Sequence, residues 1–100
     1  MFVNVGHFRF GSLTDGDRQR MTASFERDIP PIVSGSPGFR GVYFTWVADD
    51  DLMAVWLWDQ EADWDAAFPK FGPSLQENVI PHLAGPPSRA SGDAFFEVMS

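Results

Sequence analysis

Two histidines and two asparagines carry most of the chemistry open to this sequence. His82 and Asn78 stand four residues apart in a segment, Ser74 to Leu83, where Leu75, Val79 and Leu83 recur at helical spacing. Residues four apart share one side of a helix, so both flank the apolar stripe and can lean toward a core. An imidazole partly desolvated beside apolar side chains favours its neutral form, able to accept a proton from an acidic phenol or from a carbon next to a carbonyl. An asparagine one turn earlier can hold the oxyanion that such a step creates. The competing reading is structural: His82 interacts with the last carbonyls of its helix and sits half exposed, and Pro81 swings it outward.

His7 and Asn4 lie in an apolar run from Phe2 to Phe10 that lacks a helical stripe and reads as a strand, on opposite faces. Asn4 shares its side with Gly6, Phe8 and Phe10, and His7 shares its side with Val3, Val5 and Arg9. Phe8 and Phe10 mark the core side, which points Asn4 toward covering helices and His7 toward a second subunit. A one-residue bulge would exchange the two. Trp46 and Phe44 in a second strand, with Trp56 and Trp58 in a third, offer flat rings that suit a planar polycyclic ligand, or else pack as ordinary core and interface. With two distant histidines, no cysteine and no HxH or HxxxH spacing, no metal site is expected.

These residues need elements to hold them. After the first strand, Gly11-Ser12 ends the run, and Thr14 or Asp15 can cap a helix whose Met21, Phe25, Ile29 and then Ile32 or Val33 form one buried stripe. Pro30-Pro31 should break or kink it. Strands are predicted over Phe39 to Ala48 and Leu52 to Trp58, joined by the acidic loop Asp49-Asp50-Asp51. Asp59 or Gln60 opens a second helical region, which Pro69 and Gly72-Pro73 divide, so that Ser74 to Leu83 reads as a separate third helix. Ser88 to Gly92 reads as a loop and Ala94 to Met99 as the last strand. In the second strand Val42, Phe44 and Trp46 alternate with Phe39, Tyr43 and Val47, so apolar residues stand on both faces. A sheet with one wet face alternates cleanly; this one needs a cover on each side, helices on one and a second copy on the other.

Composition sets outer limits. The chain has 100 residues, 44% of them hydrophobic and 15% aromatic, enough for the core of one domain, residues 1–100. A net charge of −7 repels phosphate backbones, so no nucleic-acid partner is expected. The opening residues are too short and interrupted an apolar run for a signal peptide, and no stretch reaches membrane-spanning length, so a cytoplasmic location is expected.

The layout resembles the antibiotic biosynthesis monooxygenase family and the wider dimeric α+β barrel superfamily. The resemblance rests on the first strand running into Thr14-Asp15-Gly16, on Pro37-Gly38-Phe39 entering the second, on Trp58-Asp59-Gln60-Glu61-Ala62 closing the third, and on Leu83-Ala84-Gly85-Pro86-Pro87 before the last. It implies an α+β fold, a ferredoxin-like β-α-β-β-α(α)-β unit with a four-stranded antiparallel sheet, paired as a homodimer through the sheet face. It also implies a cofactor-free oxygenation of an aromatic polyketide-like or quinone-like molecule, or cyclase or isomerase chemistry in the same pocket. A non-catalytic dimer binding an apolar small molecule is the reading from outside enzymology. Members often carry histidine or tryptophan about nine residues beyond the tryptophan that closes the third strand; Ala67 stands there in this chain. The histidine that the heme-degrading branch uses has no counterpart in register, since His82 lies further along.

Overall fold

The computed structural model describes residues 1–99. Its elements run β1 (Phe2–Arg9), α1 (Asp15–Ser34), β2 (Phe39–Ala48), β3 (Asp51–Trp58), α2 (Glu61–Asn78), a single 3-10 turn (Ile80–His82) and β4 (Ser88–Asp93). The four strands form one antiparallel sheet in the order β2-β3-β1-β4. The fold is therefore α+β and ferredoxin-like, with the sheet topology expected.

Helix α1 starts at a capping box. The Thr14 hydroxyl accepts the Asp17 N–H at 3.0 Å and the Asp17 carboxylate accepts the Thr14 N–H at 3.0 Å, which satisfies two donors that a helix start leaves free. Met21, Ser24 and Phe25 are its buried residues. Pro30 and Pro31 do not end it; both are exposed, so the carbonyls they leave unpaired face water rather than the core.

Helix α2 is likewise continuous through Pro69 and Pro73, both solvent-facing, where the sequence suggested two helices. Its stripe of Trp64, Ala67, Phe71 and Leu75 lies against the sheet. Gly38 is set at a φ of 78°, and a Cβ there would come within 2.0 Å of the Asp63 carboxylate. The turn into β2 thus passes hard against the start of α2, and only glycine fits.

The sheet has two unlike faces. Toward the helices stand Phe2, Asn4, Gly6 and Phe8 of β1, with Leu52, Ala54, Trp56 and Trp58 of β3, the last four all buried. A register shift between Phe39 and Gly41 puts Phe39 opposite Trp58, with its ring edge-on to the indole at 5.3 Å, on the same side as Val42 and Phe44. The expectation that Phe39 faces away is thereby corrected: the bulge at Arg40 breaks the strict alternation. Val3, Val5, His7, Met53, Val55 and Leu57, with Tyr43 and Val47, form the other face, which no element among the described residues covers.

The last strand also differs from its expectation. Ser88 to Gly92, read as a loop, belongs to β4 (Ser88–Asp93), paired to β1 from Phe2↔Asp93 to His7↔Ser88. Ala94 to Met99, read as the strand, lies past the end of β1. Small polar residues make poor strands alone, but pairing with β1 decides the outcome here.

Candidate functional site

Between α2 and the sheet lies a cavity of about 30 Å³, room for about two water molecules. Its floor is Asn4, Gly6 and Phe8 of β1 with Leu52, Ala54 and Trp56 of β3; its roof is Trp64, Phe68, Phe71 and Leu75 of α2. Phe25 of α1 and Phe44 of β2 close the inner end, and Arg89 of β4 stands at the outer one. An open groove of about 760 Å³ adjoins it, sharing Gly6, Phe8, Phe68, Leu75 and Arg89 as common wall. The enclosed part is thus the deep end of a channel that opens between α2 and β4.

The aromatic lining follows from register. Trp56 meets Phe71 at 4.6 Å, Trp64 at 5.5 Å and Phe44 at 5.7 Å between ring centres, and stacks nearly parallel to Trp58 at 6.4 Å. Against these rings stand two polar side chains. Asn4 is 2% exposed, and its Nδ2 has no hydrogen-bond partner among the described residues. A buried amide left unpaired costs about 1–3 kcal/mol, so the cavity is built with a donor waiting for an acceptor. Arg89 reaches over the Phe68 ring with its guanidinium carbon 4.8 Å from the centroid. Neither a carboxylate nor an imidazole, hydroxyl or thiol is among the lining side chains.

Of the residues singled out in the sequence, Asn4, Phe44 and Trp56 meet in this cavity. Trp58 lies one layer behind, fully buried under Trp56 and Phe39. Trp46 faces the same side of the sheet but sits at its far end, against Phe10, and lines a shallow surface hollow instead. His7 is on the uncovered face, with Nε2 against the Asp51 carboxylate. His82 lies in the 3-10 turn, exposed, and its carbonyl accepts the Gly11 N–H at 3.1 Å. Asn78 turns back on its own helix, donating to the Ser74 carbonyl at 2.9 Å. The helical segment ends before His82, so the pairing of His82 with Asn78 beside the cavity is not formed.

Sequence reasoning missed Trp64, Phe68, Phe71 and Arg89. The first three were legible: residues 64, 68, 71, 75 and 79 hold a helical stripe, and the two prolines concealed it by suggesting a break. Arg89 gave no signal, being one cation among small residues.

No protein-family model matches the sequence, and no curated protein resembles it in sequence significantly. Solved structures do match in fold. A monooxygenase from the ActVA-Orf6 gene of Streptomyces coelicolor, solved with nanaomycin D, superposes with a TM-score of 0.77 at 16% identity, covering 99% of this chain and 91% of the other. SnoaB, a cofactor-independent oxygenase from Streptomyces nogalater, gives 0.75 at 14% identity, covering 99% and 97%. A dimeric ferredoxin-like protein from an uncultured marine organism gives 0.78 at 13% identity, covering 99% and 91%. The chain has the fold of the antibiotic biosynthesis monooxygenases, as the resemblance implied. Among the described residues no helix is long and apolar enough to cross a membrane, and no cluster of three potential metal ligands occurs.

Proposed function

We propose that the channel, with its aromatic deep end and the open groove outside it, takes a planar aromatic molecule with an acidic hydroxyl, of the polyketide-like or quinone-like kind, and promotes its reaction with dioxygen without a bound cofactor. The observation that carries this reading is the polar content of an otherwise aromatic slot: one unpartnered amide at Asn4 and one cation at Arg89. Flat rings stack on such walls, the amide donates to an oxygen at the deep end, and the guanidinium favours the ionised form of a hydroxyl. Two solved structures with this fold are described as a monooxygenase and a cofactor-independent oxygenase, which supports the same class of reaction.

The lining supplies no proton acceptor, so the substrate must be acidic enough to lose its proton to water in the groove as it enters. The bound phenolate then gives an electron to dioxygen, and the radical pair joins at an electron-rich ring carbon, forming a C–O bond. Water in the groove returns the proton to the peroxide, and the O–O bond of the hydroperoxide breaks as the departing hydroxide takes the ring C–H proton. One oxygen stays as a quinone carbonyl and the other leaves as water, so dioxygen is the only oxidant. The protein's part is to orient the ring, hold the anion and exclude bulk water. A cyclase or isomerase in the same pocket would need a base that the cavity wall does not carry.

The chain works as a homodimer in this reading, with its uncovered apolar face against a second copy. Solved proteins of this fold are described as dimeric, in support.

The test uses 1,8-dihydroxyanthrone as probe, with oxygen uptake and quinone absorbance followed together. The expected result is conversion faster than in buffer, with one dioxygen consumed per quinone. Binding without acceleration would leave a small-molecule carrier, and neither binding nor acceleration would remove the aromatic-slot reading altogether.

A further inference from the structure

One stripe of α2 borders the open groove outside the cavity: Phe68, Gly72 and Gln76, four residues apart and so one above another on the helix. Along the helix axis the stripe runs about 12 Å. Phe68 begins it where Arg89 reaches over its ring, at the wall that cavity and groove share. Exposed Gln76 ends it. Between them the wall has a gap one side chain wide.

Nothing in the fold asks for glycine at that gap. Inside a helix glycine is less favourable than every residue but proline, because it gives up the most backbone freedom. At Gly38 a positive φ and the close pass of Asp63 demand it. Gly72 meets neither condition: its φ is not positive, and a Cβ there would find no atom within 4 Å. The proline that follows does not require it either. A residue before proline is crowded in a helix, yet Phe68 precedes Pro69 in the same helix and Ile29 precedes Pro30 in α1. What glycine does at this half-buried position is keep the groove clear.

The floor repeats the pattern. Gly6 of β1 lines both the cavity and the groove, so floor and helical wall each lack a side chain along the same passage. A flat ring system needs a slot free along its whole length, and these two absences supply one where phenyl rings otherwise crowd.

Resting on the aromatic-channel reading above, we propose that Gly72 determines the length of ligand the site accepts. The gap lets the outer ring of a linearly fused three-ring molecule lie against the backbone of α2 and extend toward Gln76, while the inner ring stays beside Phe68 and Arg89. A two-ring molecule fills only the inner part and does not reach residue 72.

The test compares wild type with Gly72→Ala and Gly72→Leu. The probes are 1,8-dihydroxyanthrone and 1,8-dihydroxynaphthalene, titrated without oxygen so that only binding is read, by quenching of tryptophan fluorescence. For the anthrone, Kd should rise at least threefold in the alanine variant and at least thirtyfold in the leucine variant. For the naphthalene it should change less than twofold in both, and the alanine variant should melt no lower than wild type. Equal losses for the two probes, or a lower melting temperature with alanine, would make Gly72 a flexible point between Pro69 and Pro73 and overturn the proposal. So would unchanged anthrone affinity in the leucine variant, or a wild type that binds the naphthalene alone. Should the leucine variant fail to fold, the ratio of the two probes in the alanine variant decides. A wild type that binds neither probe would defeat the aromatic-channel reading itself.

Discussion

The guanidinium of Arg89 lies 4.8 Å above the ring of Phe68, so one strand and one helix meet across the entrance of the aromatic cavity. A cation on a ring face contributes about 0.5–1 kcal/mol where exposed, little enough for a ligand to displace. An incoming phenolate replaces the quadrupole of Phe68 with a full charge. Arg89→Gln should therefore weaken binding of the ionised probe at least tenfold and raise the apparent pKa of the bound hydroxyl. An absorbance titration of the complex reads both, and an unchanged pKa would show that Arg89 does not touch the anion.

Asn4 predicts a conflict between stability and activity. Replacing an unpartnered buried amide with an apolar side chain of similar size removes a desolvation cost of about 1–3 kcal/mol. Asn4→Leu should raise the melting temperature while lowering probe turnover at least tenfold. A variant that melts lower and still turns over would mean that the amide serves packing alone.

Gly6 faces the cavity and its outer groove, and a Cβ there would stand 3.1 Å from the Phe8 ring. The ring must then shift into the channel. Gly6→Ala should raise KM for a three-ring probe at least fivefold and barely alter it for a two-ring naphthol. Equal effects on both would indicate a general loss of fold.

His82→Ala should retain turnover to within about twofold. The residue that looked best suited to general-base work in the sequence lies exposed in the 3-10 turn, outside the cavity. A tenfold loss with an intact circular-dichroism spectrum would return it to the reaction.

Acid sensitivity should centre on Asp28. Its hydrogen bonds from Arg27 and from the Ser74 hydroxyl, 2.7 Å away on α2, hold its pKa at about 2, below the usual carboxylate value of 3.8. Asp17 is lowered too, first by the Thr14 N–H of the capping box. A depressed folded-state pKa gives stability that is fully present above the unfolded value and disappears as pH falls through the folded one. Wild-type stability should thus drop between pH 4 and pH 2, and Asp28→Asn should flatten that slope. Denaturant melts at each pH would show parallel slopes if the α1–α2 tie is irrelevant.

Periodicity made β1, α1 and the β2–β3 hairpin legible, because their apolar residues repeat with the period of the element they form. It failed wherever tertiary contact overruled local preference. Pro69 and Pro73 look like a helix break, yet on the wet side of α2 their missing hydrogen bonds expose carbonyls only to water. Residues 94–99 have the composition of a strand and Ser88–Asp93 that of a loop, but β1 offers its edge only to the latter. The cavity was half visible. Asn4, Phe44 and Trp56 followed from strand parity, while Arg89 depended on β4 and could not be placed without it. The catalytic reading of His82 needed helical spacing to run past Asn78, where the backbone instead tightens into a 3-10 turn and leaves the side chain exposed, as the competing structural reading had it.

The cavity also sits on a seam. One buried cluster gathers around Trp56, Trp58 and Trp64, another around Phe10, Met21 and Leu52, and Phe8, Phe44 and Leu75, which all line the cavity, pack against both. The inner end of a ligand reaching it from the groove would serve as an interior side chain supplied from solution, joining two half-cores that otherwise touch through their margins. Occupancy can then be read as heat resistance, with no knowledge of the reaction. A ligand at a hundred times its Kd adds about 2.7 kcal/mol, and each kcal/mol moves the melting point of a domain this size by about 4–8 °C. Screening a collection of hydroxylated aromatics by melting temperature would rank candidate ligands before any turnover assay is built.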